Sequence, residues 1–480
     1  MGAKRIMMTH DYPFKWVVID SSLLDKDEEK RMNASSYSIE SLQVLQTLET
    51  LRKKKIPVVS FGEFCDKIFY PPRFKRTYAN DGTLFLSSKD ILNFVLTGKK
   101  VKNVGQDYLV KRNWILVTRS GSVGRVILTN KNFDDLGVSE HVIRVIPQKQ
   151  SPVGYLYAYL SSSFGQPLLN RKIFGGVVKE IEPSHISNIP LPLLPETDIN
   201  EIDKKLLEAH KLREEAQELL LKAEKMFYKE LGLPLLNDNA IDYFGDENGK
   251  VVKAFTLTSN DLFTTQIRLN AYSYLPISRY ARKILADKKF ELKKLGDPEV
   301  TQKVFTPPRF KRIYVSSKKG IPLLQGSHIP MLKYFDIKYL WDKIKNLNKY
   351  IIKRNWILIT CSGTIGRVFL VSKFCEGWAA TNHMTRIIPS GKTNAGYLTI
   401  FLQSPFGFSQ LQTLVYGGVV EEIGEAGELL KEILVPTPSN STQNEIGNLV
   451  MEAYEKKDQA NIIENEAIKT LEEKLAEAAK

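Results

Sequence analysis

Arg73, Lys75 and Arg76 crowd around Phe74 in the motif PPRFKR, and Arg309, Lys311 and Arg312 crowd around Phe310 in a second PPRFKR 236 residues later. Cations at this density bind phosphate by charge and counterion release, which is tight and blind to base sequence. More lysines follow each motif: Lys99, Lys100 and Lys102 after the first, Lys318 and Lys319 after the second. A different chemistry is open to Arg119. The stretch KRNWILVTRSGSVGRV from Lys111 returns as KRNWILITCSGTIGRV from Lys353, with twelve of sixteen residues identical, and Arg119 becomes Cys361. An arginine fork can hold guanine O6 and N7 together, and a thiol cannot. Arg119 is therefore a candidate base reader, with drift at an exposed turn as the alternative. Ser120 and Arg125, their counterparts Ser362 and Arg367, and Lys179 in GGVVKEI complete the candidate contacts. The second copy, GGVVEEI, has Glu421 where Lys179 stands.

Signatures of catalysis are missing. The chain has no G-x-x-x-x-G-K-[ST] loop, no H-E-x-x-H, no strand-linked G-x-G-x-x-G and no N/D-P-P-Y/F motif. Its six histidines do not cluster with its three cysteines, which lack zinc spacing and form no disulfide framework. SGSVG and CSGTIG contain Gly-x-x-Gly, but β-rich runs flank both, which favours a hairpin turn over a phosphate cradle. His141 and His383 sit on short strands, where a structural histidine is the expected reading.

Two copies of one frame must position these residues. HVIRVIP from His141 returns as HMTRIIP from His383, and GYLYAYLSSSFG from Gly154 as GYLTIFLQSPFG from Gly396. Between PPRFKR and KRNW the copies diverge in sequence and length: 34 residues, Thr77–Val110, against 40, Ile313–Ile352. Each half ends in a long helical pattern. Leu206, Ala209, Ala216, Leu219 and Ala223 recur at steps of three, four and seven in a stretch without Gly or Pro, and Val450, Ala453, Ile463, Ala467 and Leu471 mark a second stripe. Either stripe alone would face water, so pairing of the two helices is expected.

The net charge is +14, which points to a polyanionic partner. The two helical stretches carry −2 and −4, which leaves +20 to the globular halves. The basic surface therefore belongs to the halves and not to the spacer helices. No run of 18 apolar residues predicts a membrane span, and the cysteine usage suits a reducing cytoplasm.

The motifs NWILVTRSGSVGRVILT, SEHVIRVIP, GYLYAYLSSSFGQPLLNR, FGGVVKEI and ISNIPLPLLP, in this order and followed by a long helix, resemble a target-recognition domain of the specificity subunit of type I restriction–modification systems. The second copy fits the same pattern. The resemblance implies an α+β fold: two repeated mixed α/β target-recognition domains separated by long helices that pair as an antiparallel coiled coil. The expected limits are 1–196 and 255–438 for the recognition domains, 197–232 and 439–480 for the spacer helices, and 233–254 for a linker. It further implies a non-catalytic chain on double-stranded DNA, each domain reading one half of a bipartite, asymmetric target and the coil setting the gap. Two methyltransferase subunits are the implied partners, with restriction/translocase subunits able to join. S-adenosylmethionine, ATP and Mg are expected on those partners, and no cofactor on this chain. The alternatives are a basic tandem-domain scaffold for RNA or protein, and a specificity subunit of a modification-only system.

Overall fold

A computed structural model of the chain describes residues 30–236, 254–259, 270–417 and 420–480, with Ile19 and Ser21. Two compact units emerge: Met1–Glu214 with Gln459–Lys480, and Glu215–Asp458. Their boundaries differ from the expected domain limits. Each unit takes in a length of both long helices, because a helix with a continuous apolar stripe is held along that whole stripe. Most of the expected linker lies outside the described residues.

The first unit runs α1 (Ile39–Lys53), β1 (Val58–Ser60), β2 (Cys65–Phe69), β3 (Tyr78–Leu86), β4 (Lys99–Val101), β5 (Ile115–Thr118), β6 (Val126–Leu128), β7 (Gly137–Val138), β8 (Val142–Pro147), α2 (Val153–Ser161), α3 (Gly165–Arg171), α4 (Pro183–Ser187), β9 (Pro190–Pro192) and the start of α5 (Glu196–Glu230). Strands β2, β8, β5 and β6 form an antiparallel sheet in that order. The unbroken apolar runs ILVT and VIL read as fully buried strands, and every residue of β5 and β6 is buried. They make the expected hairpin: Gly121 and Gly124 both take φ +81° in its turn, a region open to glycine. Asn113 and Asn355, the asparagines of the two KRNW motifs, sit at φ 63° and 65°, which Asn tolerates better than most residues.

Helix α2 closes the core. Tyr155, Tyr157 and Tyr159 are fully buried, and their hydroxyls donate to Pro192 O (2.6 Å), Glu464 Oε1 (2.9 Å) and Pro190 O (2.5 Å). Buried tyrosines keep their burial energy only when the hydroxyl finds such a partner. Its first turn holds a glycine because it lies against α5: a Cβ on Gly154 would stand 2.7 Å from Asp203 O. The insert strands β3 and β4 form a separate small sheet with β7 of the frame, in the order β4-β3-β7, with β3 and β7 parallel.

The second unit repeats the plan. It contains the rest of α5, then α6 (Pro276–Ala286), β10 (Glu291–Lys294), β11 (Thr301–Phe305), β12 (Tyr314–Val315), β13 (Gly320–Leu324), β14 (Lys338–Trp341), β15 (Ile357–Thr360), β16 (Val368–Leu370), β17 (Ala379–Ala380), β18 (Met384–Pro389), α7 (Ala395–Gln403), α8 (Pro405–Gln412), α9 (Ala426–Leu429), β19 (Leu434–Thr437) and the start of α10 (Asn440–Ala479). Its core sheet is β11-β18-β15-β16, the same order as in the first unit. Its insert sheet has four strands, β12-β14-β13-β17: β12 and β13 both pair β14, where in the first unit the single strand β3 pairs β4 on either side of a register shift. The frame is thus common to both units, and the insert sheets are where they differ.

Candidate nucleic-acid interface

PPRFKR leads from the core sheet into the insert sheet in both units, and its phenylalanine is the anchor. Phe74 packs on Tyr108 and Phe85, with ring centres 4.4 and 5.7 Å away, and Phe310 packs on Tyr350 at 3.9 Å. With that ring turned inward, alternation along the extended chain leaves Arg73, Lys75, Arg309 and Lys311 exposed. Arg76 and Arg312 turn back instead. Arg76 lies 4.9 Å over the Phe85 ring and pairs with the carboxylate of Glu140. Arg312 donates to Asn382 Oδ1 at 3.1 Å.

The inserts add aromatic rings to this basic edge. Lys99 Nζ sits 5.0 Å over Tyr78, and Lys338 Nζ 5.1 Å over Tyr314. Both tyrosines are exposed, and Trp341 beside β12 is 38% exposed. Lys100, Lys318 and Lys319 are exposed, and Lys102 reaches Asp81 at 3.3 Å. A cation held over an exposed ring is suited to a groove lined with phosphates and base edges. Tyr78, Tyr314 and Trp341 were missed in sequence. The signal was there, because Tyr78 and Tyr314 each stand two residues past PPRFKR in the repeat.

Arg119 is not where a base reader should be. It is only 13% exposed, lies 4.3 Å over the Tyr70 ring, and gives its fork to Glu180 at 2.9 and 2.8 Å and to Glu182 at 2.8 Å. Both Nη groups of the fork are held by carboxylates inside the fold, so the expected guanine contact is corrected to a structural ion pair. Burial works against its charge, and the two carboxylates more than offset that and hold its pKa above the ordinary arginine value. Ser120 is buried beside His141, Oγ to Nδ1 2.7 Å, and Ser362 donates to Glu422 Oε1 at 3.0 Å. Both serines therefore have partners within the frame. Arg125 and Arg367 are half-buried, and Arg367 donates to Gly326 O at 3.1 Å.

Lys179 is exposed on a hairpin closed by the Phe174–Glu180 bridge. Gly175 turns it at φ +96°, where a Cβ would fall 2.0 Å from Val178 O, so no other residue fits.

Sequence reasoning also passed over Arg144 and Arg386, both fully buried on β8 and β18. Arg144 donates to the carbonyls of Ser139 (2.9 Å), Val142 (2.6 Å) and Val138, and Arg386 to those of Thr381 (2.8 Å), Ala380 (2.7 Å) and Met384. Burial lowers the pKa of each to about 10. Each guanidinium thus holds the loop that carries Glu140 or Asn382 against the frame.

Of the spacer positions, Leu206, Ala209, Ala216, Ala223, Val450, Ala453, Ala467 and Leu471 are buried, and Leu219 and Ile463 half-buried. Within the first unit the start of α5 meets the end of α10 through Arg213, whose Nη atoms reach Glu464 and Asn461 Oδ1 (2.8 Å). Lys474 also reaches Asp198 there at 3.3 Å, so within the first unit α5 and α10 run antiparallel. Within the second unit the two helices meet through Lys456 and Glu215 at 2.8 Å.

Among the described residues no group of three or more His, Cys, Asp or Glu is placed to hold a metal, and no helix is long and apolar enough to cross a membrane. The model of the family described as type I restriction modification DNA specificity domain matches residues 42–220 and 310–473. No curated protein matches the chain. Among solved structures, the chain is similar to the S subunit of a type I restriction-modification system from M. genitalium, at 13% identity over 87% of this chain and 96% of that one, with a TM-score of 0.37. It is also similar to the HsdS subunit from Thermoanaerobacter tengcongensis, at 12% identity over 88% and 96%, with a TM-score of 0.27. A structure bearing on assembly of the type I R-M system matches at 12% identity over 88% and 98%, with a TM-score of 0.27.

Proposed function

Because this chain belongs to the type I restriction modification DNA specificity family, we propose that each unit reads one half of a bipartite, asymmetric DNA target through its insert sheet. The observation that carries this is one frame used twice around two different inserts. A shared frame sets both halves on the duplex in the same orientation, so discrimination between half-sites falls to the inserts, where the two halves differ most. The exposed rings and cations of the inserts supply groups that can enter a groove. The paired helices set the number of unread base pairs between the half-sites.

The chain itself is a non-catalytic specificity subunit. It directs two methyltransferase subunits that bring S-adenosylmethionine, and restriction/translocase subunits that bring ATP and Mg. It holds no cofactor, and its place is the cytoplasm. The test is copurification with the methyltransferase subunits, followed by long-read mapping of methylated adenines. One bipartite motif is expected, and grafting a foreign insert over Thr77–Val110 should change one half of it only. Inserting one helical turn after Ala216 should lengthen the gap and leave both half-sites intact. Methylation with no motif, or no preference for any duplex when methyltransferase is present, would instead favour the RNA or protein scaffold.

A further inference from the structure

The two PPRFKR motifs are identical, yet they face different partners. In the first unit Glu140, only 7% exposed, pairs with Arg76 and lies 3.9 Å from Arg73 Nε. The repeat places Asn382 at the corresponding position of the second unit, 9% exposed, where its Oδ1 accepts from Arg312. The side chain keeps its place and its hydrogen bond, and loses its charge. Among the described residues neither Arg309 nor Arg312 has a carboxylate within ion-pair distance. The acid near this corner, Glu422, accepts from Ser362.

We propose that position 140/382 sets how strongly each half grips the DNA backbone: Arg309 and Arg312, with His383 beside Asn382, form a phosphodiester site in the second unit, and Glu140 neutralises the corresponding arginines in the first. This rests on the reading of the chain as a DNA-binding subunit.

The physical case is one of charge. A phosphate oxygen approaching Arg73 and Arg76 meets a carboxylate already holding them, and must share or displace it. The same oxygen approaching Arg309 and Arg312 meets two cations, of which Arg312 is held only by a neutral amide. Arg312 is oriented by that amide and by the Phe310 ring, 5.8 Å from its guanidinium carbon, so little side-chain freedom is left to lose on binding. His383 is consistent with this. Burial first, then Arg312 and Arg309, lower its pKa, against a smaller opposing pull from Glu422, so both arginines act on the same ring. In the first unit the matching His141 has Glu140 3.8 Å from Nε2.

The experiment uses the chain in complex with its methyltransferase subunits, on a duplex carrying the mapped target, with affinity measured across a KCl series. Asn382→Asp adds a carboxylate without changing shape, and Glu140→Gln removes one. Asn382→Asp should weaken binding and make the slope of log K against log salt shallower by about one unit for each phosphate no longer neutralised. Glu140→Gln should strengthen binding and steepen the slope, with the methylated motif unchanged in both. Slopes unchanged in both variants would overturn the proposal, and so would a motif altered at one base, since the position would then read sequence. If either buried substitution fails to fold, exposed Arg309→Gln and Arg73→Gln carry the test. The first should flatten the slope more than the second, and equal effects would overturn the proposal. A wild-type complex with no preference for the target over a scrambled duplex would count against the DNA reading itself, whatever the variants do.

Discussion

Arg119 and Glu180 meet through two hydrogen bonds, 2.9 and 2.8 Å, and Glu182 adds a third at 2.8 Å. The repeat replaces this set together: where Arg119 becomes Cys361, Glu182 becomes Gly424, and Glu180 persists as Glu422 with Ser362 as its donor. Two carboxylates need the guanidinium, and one can be held by a hydroxyl. Arg119→Cys alone should therefore destabilise the first unit by about 1–3 kcal/mol, the cost of leaving charged acceptors unsatisfied. Adding Glu182→Gly should recover part of the loss. Thermal unfolding of the single and double variants checks this, and additive losses would mean the exchange is not coupled.

The same pair marks what was legible in the sequence. The repeat, the buried hairpin and the long helices could be read because their signals are local: identity, apolar runs and helical spacing. Arg119 was misread because its partners lie about sixty residues away on a loop whose fold is not local. The clue was a covarying pair, Arg119 with Glu182 against Cys361 with Gly424. Arg144 and Arg386 were hidden in a different way. An arginine inside HVIRVIP reads as an exposed strand position, and only the carbonyls around it show that it points inward.

Arg213 and Glu464 form a buried ion pair in the first unit, supported by Asn461 and by Tyr157. Removing one partner strands a charge in a medium that cannot solvate it. Glu464→Leu should cost about 3–5 kcal/mol, and Arg213→Met with Glu464→Leu should return most of it. Unfolding in urea would decide. A double variant as unstable as the single one would mean that shape, and not charge, holds the helices there.

Trp341 and Tyr314 lie on the insert sheet of the second unit, exposed beside Lys338. Trp341→Ala should relax or weaken recognition of one half-site, by about 1–3 kcal/mol at the affected base pairs. The other half-site should be methylated as before. Tyr78→Ala should do the same for the opposite half. If either variant weakened both halves alike in methylation mapping, the ring would be a general backbone contact.

His210 gives the fold a pH limit. It is buried in α5, with Nε2 2.8 Å from Thr129 O, and burial lowers its pKa from 6.5 to about 4. The nitrogen facing that carbonyl must donate, and because burial keeps the ring neutral above about pH 4, Nδ1 then carries no proton. Above pH 6.5 neither the folded nor the unfolded chain protonates it. Between pH 6.5 and about 4 the unfolded chain takes up a proton that the fold refuses, so stability falls as pH drops, by up to about 3 kcal/mol for this group. Below about 4 the folded chain protonates too, and the loss levels off. His210→Gln can keep a donor to Thr129 without titrating. Melting temperatures from pH 7.5 to 4.5 should then decline less steeply in the variant than in the wild type. Parallel curves would place the acid sensitivity elsewhere, with the half-buried Asp203 and the buried Asp458 excluded on sign: burial raises their pKa, so they favour the folded state as pH falls.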